Sequence, residues 1–135
     1  MAVMALTTEY TALNGVDESA NIKSSTLTID VNPLDVTDFA SAGWTESIGG
    51  LKSGTLAIEF QDDVANSGID DKLWAMLGTV VTFEVRLTSA VVGTSNPKWT
   101  GSVLINGHSV GGAVGDLATK SLSFPTTGAV TRAEA

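Results

Sequence analysis

Alternation between apolar and polar residues is the feature of this chain that most restricts its fold. Three stretches place an apolar side chain at every second position, with threonine, alanine or charged residues between them: Leu27–Val31, Leu56–Phe60 and Val81–Leu87. Successive side chains of a β-strand point to opposite faces, so each stretch predicts a strand with one packed face. The chain is therefore expected to be mainly β.

Further strands are predicted towards the C-terminus. A strand over Trp99–Ile105 is followed by Asn-Gly at 106–107, a pair that favours the type I′ turn of a tight hairpin. The sequence therefore predicts a partner strand over His108–Val114. A last strand is expected over Leu117–Phe124, and Pro125 is expected to end it because proline has no N–H for the ladder.

One segment has helical spacing. Within Ile69–Gly78 the apolar residues recur at intervals of three and four, which predicts one short helix. Ser67 is the expected N-cap and Gly78 the expected end of the helix. Trp74, on this helix, is expected to lie in the core or in an interface.

Strands on both sides of a single helix predict the fold class. We expect one domain over residues 1–135, mainly β, built as a two-sheet β-sandwich or flattened barrel with one short flanking α-helix. A chain of this length is typical of one domain.

Three segments lack a strand or helix pattern. The longest, about 32–53, contains Phe39 and Trp44, although disordered loops are poor in aromatic residues. We therefore expect this loop to dock on a partner surface. The N-terminal arm (about 1–7) and the C-terminal tail (about 126–135) are expected to be mobile in a free monomer.

Charge excludes some classes of partner. Seven basic against fifteen acidic residues give a net charge of −8, which disfavours proteins that grip DNA or anionic membranes. Charged residues are only 16% of the chain, against about 25% in ordinary domains, so part of the surface is expected to be covered. Neither a signal peptide nor a membrane-spanning run is recognised, and a soluble cytoplasmic product is expected.

Residues for catalysis or metal binding are scarce. The chain has no cysteine and a single histidine, His108, which is expected to be an exposed hairpin residue. Neighbouring residues of a strand point to opposite faces, so the acidic pairs make poor catalytic pairs: Asp17-Glu18, Asp62-Asp63 and Asp70-Asp71. The stretch Asp62–Asp71 lacks the order of a calcium loop, and its acids are interpreted as solvated loop residues. The glycines at 49–50 lack the spacing of a phosphate-binding loop. We expect no enzymatic activity, no cofactor and no metal.

The order of the parts resembles a known family. The likeness covers roughly residues 20–131 and rests on three stretches: Leu73–Phe83, Trp99–Gly112 and Leu122–Thr131. In this order they resemble the major tail (tail tube) proteins of long-tailed bacteriophages, which are related to type VI secretion tube proteins. The resemblance implies a structural virion protein of the tail tube fold.

The resemblance also implies an assembly. Hexameric rings would stack into a tube with a negatively lined channel for genome delivery, through which DNA passes without specific binding. The implied partners are further copies of the chain, a tape-measure protein and tail terminator or tip proteins; no membrane binding is expected. The implied location is the virion tail, with assembly in the host cytoplasm.

Candidate site residues follow from that assembly. The 32–53 loop would contact the neighbouring ring through Phe39, Trp44, Ile48 and Leu51. Outward acidic positions of the strands are candidates to line the lumen: Asp30, Glu59 and Glu84.

Two alternatives remain open. A carbohydrate- or receptor-binding β-sandwich would need an aromatic platform, for which Trp44 and Trp99 are the candidates. The tube protein of a contractile injection system would share the fold and differ by binding a sheath protein.

Overall fold

The computed structural model describes residues 3–134. All strand pairs are antiparallel, and the sheet order is β2-β1-β5-β6-β7-β4-β3. The elements are β1 (Tyr10–Leu13), β2 (Val16–Asp17), β3 (Ile22–Asp35), β4 (Ser47–Gln61), α1 (Ile69–Met76), β5 (Val80–Arg86), β6 (Lys98–Leu104) and β7 (Thr119–Ala133), with 3-10 turns at Ser19–Asn21 and Phe39–Ser41.

Strand β7 joins the two halves of the molecule. Its first part pairs with β4 as far as Pro125, and from Thr126 onward it pairs with β6. The missing N–H of Pro125 therefore falls where the strand changes partner, and the strand does not end there. The predicted end at Pro125 is wrong, and residues 126–133 of the predicted tail (about 126–135) belong to β7. Ala135 lies outside the described residues.

One apolar core lies between the halves. Strands β4 and β7 contribute one side of it, β1, β5 and β6 the other, and α1 covers one end with Ile69 and Leu73. The fully buried side chains include Leu13, Leu56, Phe60, Val103, Ile105 and Phe124. Burying this much apolar surface is the main favourable term for the fold.

The predicted mainly β fold with one helix is confirmed. The barrel is wrong, because within residues 3–134 no backbone pairing joins the two edge strands β2 and β3. A division into two separate sheets is not confirmed, because β7 makes the seven strands continuous.

Helix α1 lies where it was predicted but is capped differently. It begins at Ile69 with Gly68 as N-cap, so the expectation for Ser67 is wrong. Ser67 has a left-handed φ of 65°, and its backbone N–H donates to Asp71 Oδ2 at 3.2 Å. Gly78, with φ of 83°, follows the helix as expected.

The predicted hairpin after β6 is wrong. Residues 105–118, all of them described, contain no strand, and neither residue at 106–107 has the positive φ that a type I′ turn needs. Instead, the backbone of Ile105 bonds to the turn after α1, accepting from Gly78 N at 2.7 Å and donating to Thr79 O at 3.0 Å. The glycines that follow have no side chains to pack against the core, and their conformational freedom disfavours a strand.

The segment predicted as a loop over 32–53 is mostly a hairpin. Strands β3 and β4 remain paired out to Asp35 and Ser47, and only residues 36–46 form the turn. We call residues 30–53 the arm and residues 36–46 its tip. The arm extends past the core, so its side chains lack the one-sided burial that produces alternation.

Candidate assembly surfaces

The arm exposes apolar side chains on both faces. Phe39 is fully exposed, Trp44 is 78% exposed, Ile48 54% and Leu51 85%. These are the residues predicted as an interface between rings, and the structure brings them together on one projecting element. Large apolar side chains exposed together on one element typically mark a binding site.

Hydrogen bonds hold the tip of the arm in one conformation. Asp38 Oδ1 accepts from Ala40 N at 3.0 Å and from Ser41 Oγ at 3.3 Å, and Thr37 Oγ1 accepts from Glu46 N at 2.8 Å. Bonds from the side chain and backbone of Thr37 lower the pKa of Asp35. These hydrogen bonds order the turn from which Phe39 and Trp44 project, and the turn also carries acidic side chains.

Two of the three lumen candidates share a face. Asp30 and Glu59 alternate with the core residues of β3 and β4, and so point outward from the β3-β4-β7 half. Their neighbours on this face are small: Thr26, Thr28, Ser53, Thr55, Ala57, Ser121 and Ser123.

Glu84 lies on the opposite face. It alternates with the buried Phe83 and Val85 of β5, so it points outward from the other half. Its Oε2 is 2.8 Å from Arg86 Nε, and the Arg86 guanidinium lies 3.9 Å from the centre of the Tyr10 ring. Since the halves pack through one core, Glu84 faces away from Asp30 and Glu59.

A buried charge cluster lies beneath the N-terminal end of α1. Lys120 is 1% exposed, and its Nζ lies 3.0 Å from Asp62 Oδ2, 2.9 Å from Asp70 Oδ1 and 2.6 Å from Ser109 O. His108 Nε2 lies 3.2 Å from the same Asp70 oxygen. We call these five residues the lysine cluster. It fastens the glycine-rich 105–118 segment to the helix and to β7.

Electrostatics within the lysine cluster favour the charged forms. The hydrogen bond from Lys120 is the main cause that lowers the pKa of Asp70. Burial alone would lower the pKa of Lys120, but the bonds to Asp70 and Asp62 outweigh it and raise that pKa.

This cluster was not predicted from the sequence. The interpretations of His108 as exposed and of Asp62 as solvated are wrong, because both side chains are buried, whereas Asp70 is 28% exposed. Glu18 is also buried, at 4% exposed, and its Oε1 accepts a hydrogen bond from Lys72 Nζ at 3.0 Å. One signal was available: Lys120 is in phase with Leu122 and so belongs to the inward face of β7.

Trp74 is exposed rather than part of the core. It is 64% exposed, and its ring meets His108 edge-on with centroids 5.4 Å apart. Its expected role in an interface stays a prediction.

The described residues hold no group of three acidic or histidine side chains placed to bind a metal ion. Among the helices in residues 3–134, none has the length and apolarity to cross a membrane.

Solved structures share this fold. A chain in the virion of a native gene transfer agent particle is 20% identical, with a TM-score of 0.67 over 83% of this chain and 84% of that chain. A chain in the tail of an empty gene transfer agent particle, a structure with C6 symmetry, is 19% identical, with a TM-score of 0.65 over 82% and 81%. No protein-family model and no curated protein matches the sequence.

Proposed function

We propose that this protein is a structural subunit of a phage-like tail, which polymerises as stacked hexameric rings into the tail tube. One observation carries the proposal: a fold shared with a chain in a C6-symmetric tail has an arm that projects exposed aromatic side chains. Within the tube, Phe39, Trp44, Ile48 and Leu51 contact the neighbouring ring. The role is structural and non-catalytic, and no cofactor takes part.

Free sheet edges support ring formation. The edge of β3 is 14 residues long and has no backbone partner on its outer side within the described chain. An exposed strand edge of this length readily pairs with another chain. In the ring, neighbouring copies pair through such edges, and the two halves of each copy form an inner and an outer layer.

Charge favours the β3-β4-β7 face as the lumen lining. Its acidic residues Asp30 and Glu59 lie among small hydroxyl-bearing side chains, whereas the other face carries Arg86 and Lys98. A negative, smooth wall repels the phosphates of DNA, so the genome passes without specific binding. Tape-measure and terminator or tip proteins are the other partners, and the site of action is the virion tail after assembly in the host cytoplasm.

Assembly of the purified protein tests the proposal. We expect rings or hollow tubes in negative-stain micrographs, and a sedimentation coefficient that rises with protein concentration. A folded protein that remains monomeric at the highest soluble concentration would contradict it. Co-purification of a sheath protein around the tube would favour the alternative that the chain is the tube protein of a contractile injection system.

A sugar-binding role has less support. Trp44 lies at the arm tip, whereas Trp99 is partly buried in β6 with the Arg132 guanidinium 5.7 Å from its ring. The two residues are on separate elements and form no joint platform. Specific hits on a glycan array would favour this alternative over the tube.

A further inference from the structure

A cleft opens where β7 leaves β4. Beyond Pro125, β7 pairs with β6 while β4 continues into the arm, and a cavity of about 330 Å³ lies between them. We call it the fork; it is lined by Ile29, Lys52, Trp99, Thr126, Val130 and Arg132, among others. Gly54 packs closely against two of these lining residues, because a Cβ there would lie 2.7 Å from Ile29 and 3.0 Å from Thr126.

The fork combines an apolar floor with a basic rim. Ile29, Trp99 and Val130 provide the apolar surface, and Ile29 is 45% exposed although it lies on the same face of β3 as Leu27, which packs against the core. The charged lining residues are Lys52 and Arg132, both basic, in a protein whose net charge is −8. Arg132 bonds Glu134 at 3.1 Å, but both side chains remain about half exposed.

The arm tip has the complementary character. It presents Phe39 and Trp44 beside Asp38 and Glu46, and no lysine or arginine occurs between Val31 and Leu51. The cavity volume lies at the low end of small-ligand pockets, roughly 300–1,000 Å³, which suits an aromatic side chain. An aromatic ring there would meet Trp99 and the Arg132 guanidinium, both of which attract aromatic faces or edges.

We infer that the fork of one copy receives the arm tip of a second copy. The inference rests on the proposed self-assembly and names the surface that the arm binds. Tip and fork are different surfaces of the same chain, so the contact is heterologous: each copy gives one tip and receives one. Contacts of this kind form closed rings or continuing filaments rather than isolated dimers.

Disulfide cross-linking tests the contact directly, since the chain has no cysteine of its own. The test variant carries Ala40→Cys in the tip and Val130→Cys in the fork. The matched control carries Ala40→Cys with Val110→Cys, a site 79% exposed in the segment beside α1. After oxidation of assembled protein, we expect a ladder of covalent multimers from the test variant and none from the control.

The outcomes separate this inference from the proposed function. If tubes form but the 40–130 variant gives no covalent ladder, or the 40–110 variant gives one in its place, the fork is not the surface that receives the arm tip. The proposed tube would not be affected by that result. Absence of any assembly contradicts the proposed function and the inference with it. A ladder that ends at the hexamer supports the fork and contradicts a contact between rings.

Charge reversal gives a second readout. Lys52→Glu with Arg132→Glu should raise the protein concentration needed for assembly about tenfold or more, because like charges would face each other. Adding Glu46→Lys should recover part of the loss. Lys98→Glu, on the face of β6 opposite Trp99, is the matched control and should change assembly little. If Glu46→Lys did not restore assembly, the proposed contact between the arm tip and the fork would be contradicted.

Discussion

The arm and the lysine cluster both depart from the usual pattern of apolar residues inside and charged residues outside. The arm exposes apolar side chains, and the lysine cluster buries charged ones. The arm holds Phe39 and Trp44 in solvent, and the lysine cluster holds Lys120 and Asp62 in the interior. The charges of the cluster are paired within one chain, because Lys120 lies against both Asp62 and Asp70. The arm has no such partner inside the described chain. The lysine cluster therefore stabilises the subunit, whereas the arm is available for contacts with other copies.

The largest effect is expected from breaking the lysine cluster. Lys120→Met leaves Asp62 and Asp70 without their cation, and removing one partner of a buried pair typically costs about 3–5 kcal/mol. Chemical denaturation should report this loss in the free energy of unfolding. The exposed Lys23→Met is the matched control, expected within about 0.5 kcal/mol of wild type. A loss below about 1 kcal/mol in Lys120→Met would contradict a completed internal cluster.

The reverse pattern is expected for the arm. Phe39→Ala with Trp44→Ala should raise the concentration required for assembly by about ten- to a hundredfold, since buried aromatic anchors dominate interfaces. The free energy of unfolding of the monomer should change by less than about 0.5 kcal/mol. Val91→Ala, at a position 90% exposed in the β5-β6 connection, is the control. Normal tubes from the double variant would remove the arm from the assembly surface.

Acid should weaken the subunit through the lysine cluster. The pKa of Asp70 is lower in the folded chain than its usual value of 3.8, so the unfolded chain binds more protons. The contribution of Asp70 is present above pH 3.8 and is lost as the pH falls through the lowered folded value. Unfolding curves from pH 5 down to pH 2 should show this decline below about pH 3.8, with a shallower decline in Asp70→Asn. Equal slopes in both proteins would contradict the assignment.

The smallest effect is expected at Ser67. If its hydroxyl capped α1, Ser67→Ala would cost about 1 kcal/mol. The structure gives the cap to Gly68, so we expect a change below about 0.5 kcal/mol in the free energy of unfolding. A loss of 1 kcal/mol or more would restore the cap predicted from the sequence.

Sequence periodicity predicted the parts that pack against the core. The strands around Leu56 and Phe83 and the helix from Ile69 were found because their buried faces impose periods of two and of three to four. The arm strands were missed because neither face is buried, and the continuation of β7 was missed because Pro125 lies at a change of partner.

The candidate site was predictable only in part. Exposed Phe39 and Trp44 were expected from aromatic residues in a segment without pattern, and the structure presents them on the arm. The lysine cluster depends on Asp62, His108 and Lys120 meeting across three separate segments, and no local spacing encodes that. The fork depends on the divergence of two strands and is visible only in three dimensions.

A reconstruction of assembled wild-type protein by cryo-electron microscopy would show whether the arm lies between copies. We expect sixfold rings stacked around a channel, with Phe39 and Trp44 buried against another copy. An assembly that leaves both side chains in solvent, or particles that never exceed a monomer, would contradict it.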